Sequence, residues 1–121
     1  MRFLLITKDD ELRALAREGL HPSDDLITFE NWAEALEACA GADMMFVDLV
    51  ATLAEPGRIA GYERFANAKM GHPTASSVPL VLIGAPPEYE LDFMAGWADF
   101  VLGHIQRPVT AKLFRRASTW V

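Results

Sequence analysis

The stretch Ala42-Asp43-Met44-Met45-Phe46-Val47-Asp48 decides how this chain is read. Four apolar residues in a row, 44–47, stand between two acids. A short apolar run bounded by polar and turn signals reads as a strand buried on both faces. Asp48 lies where that strand ends. In an open parallel sheet, sites form outside the carboxyl ends of the strands. Asp48 is therefore the first candidate functional residue, and its neighbours depend on the rest of the chain.

Upstream, Asn31 suits the cap of a helix whose apolar face is Trp32, Ala35, Leu36 and Cys39, with Gly41 ending it. Leu26-Ile27-Thr28-Phe29 is rich in β-formers and reads as a short strand. Before it, Asp9 or Asp10 caps a helix carrying Leu12, Leu15, Ala16 and Leu20 on one face, with Gly19 at the expected C-cap. Phe3-Leu4-Leu5-Ile6 is a second buried strand by the same logic as the central one.

Downstream, residues 49–60 read as a long connection containing the turn signal Pro56-Gly57. A third helix is expected over about 59–70, with Tyr62, Phe65, Ala66 and Lys69 in helical spacing. Val78-Pro79-Leu80-Val81-Leu82-Ile83 is a fourth strand, ended by Gly84-Ala85-Pro86-Pro87. Pro87, Glu88 and Glu90 suit the first turn of a fourth helix with Leu91, Met94, Ala95 and Trp97 facing inward. Asp99-Phe100-Val101-Leu102 starts a fifth strand that extends towards Ile105, and Arg107-Pro108 ends it. Thr110 caps a last helix with Leu113, Phe114 and Ala117 inward. Five strands alternating with five helices imply an α/β fold: a parallel sheet with helices on both faces and right-handed crossovers. The flavodoxin-like strand order 2-1-3-4-5 is the expected one, with residues 1–121 as one domain.

Composition narrows the function. A net charge of -6 argues against a nucleic-acid backbone as the main partner, which calls for a basic face. No apolar run approaches a membrane span, and the N-terminus lacks the apolar region and cleavage site of a signal peptide. A cytoplasmic protein is the economical reading. The single cysteine, Cys39, has no internal disulfide partner and is read as packing. The three histidines, His21, His72 and His104, form no cluster, which argues against zinc. The first strand–helix turn, Thr7-Lys8-Asp9-Asp10, holds no glycine, so neither a Walker-type phosphate loop nor a dinucleotide fingerprint is present there.

The pattern resembles the receiver domain of two-component response regulators over nearly the whole chain. The residues that carry the resemblance are Met1-Arg2-Phe3-Leu4-Leu5-Ile6 followed by Glu11-Leu12-Arg13, Ala42-Asp43 leading to Asp48, Gly61 opening the third helix, Val78-Pro79-Leu80-Val81-Leu82-Ile83, Ala98-Asp99-Phe100, and Arg107-Pro108-Val109. The resemblance implies that Asp48 occupies the position phosphorylated in working receivers. It also implies an acidic pair after the first strand to hold Mg²⁺, a Thr or Ser after the fourth, and a Lys before a Pro after the fifth. Mg²⁺ wants oxygen ligands and neutralises a phosphoryl group in transfer, while the hydroxyl and ammonium bind phosphoryl oxygens.

The chain departs from that pattern at each supporting position. Thr7 and Lys8 stand where the acidic pair belongs, with Asp9 next. Gly84 stands at the hydroxyl position, and Arg107 at that of the Lys. An Arg keeps the charge but not the compact ammonium. The expected reading is an atypical receiver, or pseudo-receiver, that signals by protein–protein contact without catalysis and without Mg²⁺-dependent phosphorylation. Its partner would be another signalling protein, a covalently linked output domain or a second copy of itself. The sequence ends soon after its last helix, so a stand-alone adaptor and a piece of a longer protein are both expected forms. Lys8 has two readings: it reaches Asp48 and replaces the missing cation in a fixed ion pair, or it faces solvent before the helix cap. Trp97 and Trp120 are candidate interface anchors. Two alternatives stay open. One is a phosphorylatable receiver, with Asp48 as acceptor and Asp9, Asp10 and Asp48 as Mg²⁺ ligands. The other is a flavodoxin-like domain binding a small molecule at the mouth of the sheet.

Overall fold

The computed structural model describes residues 1–55, 57–89 and 101–121. Within them the chain runs β1 (Arg2–Ile6), α1 (Asp10–Gly19), β2 (Asp25–Phe29), α2 (Trp32–Glu37), β3 (Met44–Asp48), α3 (Leu49–Thr52), α4 (Ala60–Gly71), β4 (Leu80–Ile83), β5 (Gly103–Ile105) and α5 (Ala111–Ala117). Short 3-10 turns lie at Ala75–Ser77, Pro87–Tyr89 and Ser118–Trp120. The strands form one parallel sheet in the order β2-β1-β3-β4-β5, the flavodoxin-like arrangement expected from the alternation.

Because side chains alternate along a strand, each strand divides its residues between two cores. Leu4 and Ile6 of β1, Met45 and Val47 of β3, and Leu80 and Leu82 of β4 face α2, α3 and α4, meeting Leu36, Leu49, Tyr62 and Phe65. Phe3 and Leu5, Met44 and Phe46, Val81 and Ile83, and Ile105 face α1 and α5, meeting Leu12, Ala16 and Phe114. β3 is buried along its whole length, as its run of apolar residues requires. Phe46 lies at the centre of the second core. Its ring centroid is 5.9 Å from that of Phe3 and 5.2 Å from that of Phe114. Cys39 is fully buried, its thiol donates to Leu36 O, and burial pushes its pKa up, which suits packing rather than reactivity.

Capping explains most helix starts. Asp9 Oδ1 accepts from Glu11 N–H at 2.9 Å, and Asn31 Oδ1 accepts from Ala33 and Glu34 N–H. Thr110 holds the N-cap position of α5, but its side chain makes no capping bond. Three other expectations are corrected. Residues 49–52 are not part of a plain connection; they form the short helix α3, capped by Asp48. Gly19 is the last residue of α1 rather than its C-cap, which is Leu20. The described fifth strand is Gly103–Ile105, later than expected, with Val101 and Leu102 before it. Pro87 and Glu88 lie in a 3-10 turn. The rest of the expected fourth helix, including Trp97, and the strand start at Asp99 and Phe100 lie outside the described residues.

The role of Gly19 is close approach. A Cβ there would overlap the backbone carbonyl of Ala111 and crowd Phe114 Cβ, so α1 and α5 meet across a bare backbone. Gly19→Ala is expected to destabilise the fold by about 2 kcal/mol through overpacking, read as a lower urea midpoint with an unchanged slope. An Ala variant as stable as the parent would show that the two helices move apart freely.

Candidate functional site

The site is set by register and alternation. In the β1–β3 pairing Phe3 lies beside Met44 and Leu5 beside Phe46, so two residues on, Thr7 lies beside Asp48 on the same face. In the β4–β5 pairing Ile83 lies beside Ile105, and Arg107 follows two residues later on that face. Thr7, Asp48 and Arg107 therefore converge at the carboxyl end of the sheet. Lys8 has the parity of Leu4 and Ile6, and so leans towards α2 and α4 instead.

Asp48 is 2% exposed and Thr7 is fully buried. Thr7 Oγ1 donates to Asp48 Oδ2 at 2.7 Å. Arg107 Nη2 donates to Asp48 Oδ1 at 3.0 Å, and its Nε donates to Gly84 O at 2.8 Å. The Val50 N–H adds a third bond to the carboxylate, at 3.2 Å to Oδ1. Thr7 Oγ1 in turn accepts from Asp9 N–H, and Thr7 O accepts from Arg13 Nη1. Both oxygens of Asp48 are thus committed to protein donors, and the donors are themselves held.

The Lys8–Asp48 pair does not form. Lys8 is exposed, and among the described residues the cation on Asp48 is Arg107. Lys8 still lines, with Asp9, Asp48, Pro86, Tyr89 and Arg107, a cleft of about 270 Å³ over the sheet's end. Asp9 reaches this cleft while capping α1. Asp10 does not line it; it pairs with Arg13 on the helix surface. Gly84 contributes its carbonyl to Arg107. A Cβ there would come no nearer than 3.8 Å to Ile105 O, so packing does not impose the missing side chain. His104 is exposed on β5 and is not among the residues lining the cleft. Trp120, 39% exposed, lies across Gly103, where a Cβ would sit 2.6 Å from the ring.

The donor set is a poor match for Mg²⁺. A hard cation needs several oxygen ligands and a net negative pocket. Here two carboxylates, Asp9 and Asp48, are offset by the Lys8 ammonium and the Arg107 guanidinium, and the oxygens of Asp48 are already bonded. Among the described residues no group of three or more His, Cys, Asp or Glu side chains could hold a metal ion. Sequence reasoning missed Val50 N–H, Arg13 and the pairing role of Arg107; strand alternation is the signal that points to Arg107 and away from Lys8.

Burial pushes the Asp48 carboxyl above its ordinary pKa, against the opposing pull of the Thr7 hydroxyl, the Arg107 charge and the Val50 amide. A raised pKa means that the folded state holds this proton more tightly than the unfolded chain. The resulting stabilisation is fully present below the ordinary value of 3.8 and is lost as pH rises through the folded pKa. The stability of the parent minus that of Asp48→Asn should therefore fall as pH rises from the acid side towards neutrality, then level off. Paired urea titrations across that range read it, and a difference that grows with pH contradicts it.

Receiver domains are among the solved structures that this chain resembles in fold. The chain is similar to the chemotaxis response regulator CheY4 of Vibrio cholerae, with a TM-score of 0.69, 17% identity and coverage of 98% of this chain and 95% of that one. It is similar to a CheY-like response regulator receiver domain protein from Methanospirillum hungatei JF-1, with a TM-score of 0.70, 14% identity and coverage of 98% and 91%. A signal receiver domain of a modulated diguanylate cyclase from Desulfovibrio desulfuricans G20 matches at a TM-score of 0.62 and 21% identity, covering 98% and 90%. No protein-family model and no curated protein sequence matches the chain. At these identities the likeness is one of fold. No helix among the described residues is long and apolar enough to cross a membrane.

Proposed function

We propose that this chain is a receiver-type signalling module that works by protein–protein contact and does not use Mg²⁺-dependent phosphorylation. The observation that carries this reading is the Thr7–Asp48–Arg107 cluster. It places a guanidinium and a hydroxyl on the two oxygens that an acceptor aspartate needs free. A nucleophile must present a lone pair to the incoming phosphorus, and the metal must reach the same carboxylate. Arg107 offsets the Asp48 charge in the resting protein, the part a bound cation would play.

The contact surface we assign is the β5–α5 end. Trp120 rests on Gly103, and Leu102 and Val121, adjacent in sequence to these two, are also exposed apolar residues. A rigid aromatic anchor with flanking aliphatic groups suits a partner protein, a linked output domain or a second copy. Trp97 is part of the same expectation.

The alternative, a phosphorylatable receiver, draws on the fact that Asp9 and Asp48 line one cleft. Acetyl phosphate with Mg²⁺, followed by intact-mass spectrometry under mild conditions, separates the two. The expected result is an unmodified chain. A phosphoryl adduct present in the parent and absent from Asp48→Asn would establish the alternative.

A further inference from the structure

Beside the cleft over Asp48 lies a second one of about 230 Å³, between the β1–α1 loop, the start of α2, and α3 with α4. Its character differs from that of the first. Lys8 and Arg64 line it, and no Asp or Glu does, in a chain of net charge -6. Both cations are exposed, and neither has an ion-pair partner among the described residues. The first cleft, by contrast, balances two acids against two bases.

The walls are built rather than loose. Trp32 is half-buried, and its ring packs edge-on against Phe65, with centroids 5.7 Å apart and planes 72° apart. Thr52 is buried, with its Oγ1 committed to Leu49 O at 2.7 Å. Gly61 brings α4 directly onto the Thr52 carbonyl, where any side chain would clash. Asn31 has spent its carboxamide oxygen on capping α2, which leaves only its Nδ2 donor for a ligand. Two cations, an amide donor and an aromatic wall, with no acid, match an anion that carries an organic group.

We propose that this cleft binds a small phosphate monoester non-covalently. The dianionic phosphate lies between Lys8 and Arg64, and the organic part lies along Trp32. The bonds involved are charge-assisted, from an ammonium and a guanidinium to phosphate oxygens. Asp48 does not line this cleft, although Lys8 and Ala51 line both it and the cleft over Asp48.

The test is amide and indole NMR on the whole chain, in metal-free, phosphate-free buffer, titrated with inorganic phosphate and with phenyl phosphate. The expected result is saturable shifts at the Trp32 indole and at the amides of Thr52, Leu53 and Arg64, with phenyl phosphate binding more tightly than inorganic phosphate. Lys8→Ala and Arg64→Ala, both at exposed positions, should each weaken phenyl phosphate binding about tenfold. Arg17→Ala, which removes an exposed cation of α1 outside the cleft, should leave it unchanged. Shifts that do not saturate, equal losses in all three variants, or no advantage for phenyl phosphate would each overturn the assignment.

Discussion

Arg107→Ala is expected to destabilise the protein by about 3 kcal/mol at neutral pH, because it strands a buried carboxylate. Asp48 is nearly inaccessible, whereas Arg107 keeps one fifth of its side chain in solvent, so the lower end of the range for breaking a buried pair applies. The cost has two parts. Asp48 Oδ1 loses the 3.0 Å bond to Nη2, and Gly84 O loses the 2.8 Å bond to Nε. The carboxyl's escape is to bind a proton, since burial already pushes it that way. The loss should therefore shrink at low pH. It should also shrink in the Asp48→Asn background, where no charge is left unpaired. A double-mutant cycle by urea denaturation measures that coupling. Equal losses in both backgrounds would mean that Arg107 acts through packing alone.

Phe46→Ala is expected to cost about 4 kcal/mol. Its ring is fully buried on the central strand, between Phe3 and Phe114. Removing it leaves a cavity whose walls are β1, held by parallel pairing on both sides, and α5, held against α1 at Gly19. Neither wall can collapse without breaking ladder bonds or the helix contact, so relaxation recovers little. Urea and thermal unfolding read the loss directly. A cost below about 2 kcal/mol would show that α5 shifts inwards to fill the space.

The fold was legible because its strongest signals are local. Met44-Met45-Phe46-Val47 has the length and composition of a buried strand, and Phe3-Leu4-Leu5-Ile6 and Leu80-Val81-Leu82-Ile83 repeat it. Once three such strands alternate with helical stretches, crossover rules leave few topologies. The departures have physical causes. α3 spans only four residues, too short to show a helical period, and it exists because Asp48 Oδ1 caps it. The fifth strand runs over Gly103–Ile105 rather than the apolar pair Val101-Leu102; the Leu102 N–H donates to Leu80 O just before it, and the bare face of Gly103 receives the Trp120 ring.

The site was legible in its membership but not in its pairing. Thr7, Asp48, Gly84 and Arg107 could each be found by position along the chain. Which cation meets Asp48 depends on which face of the sheet each side chain takes, and that follows from register. Lys8 is one residue away from Thr7 and so belongs to the other face, where it meets the Trp32 and Arg64 cleft. Arg107 is far away in sequence but shares the face of Ile105 and Asp48. A one-residue difference in parity separated a salt bridge from a solvent-facing lysine.

We propose that Asp48 belongs to a closed polar cluster and is not an open phosphoryl acceptor. Amide NMR of the whole chain, titrated with beryllofluoride in the presence of Mg²⁺, tests it most directly. The expected result is no saturable shift at Asp48, Val50, Gly84 or Arg107. Saturable shifts at these amides that disappear in Asp48→Asn would contradict the account.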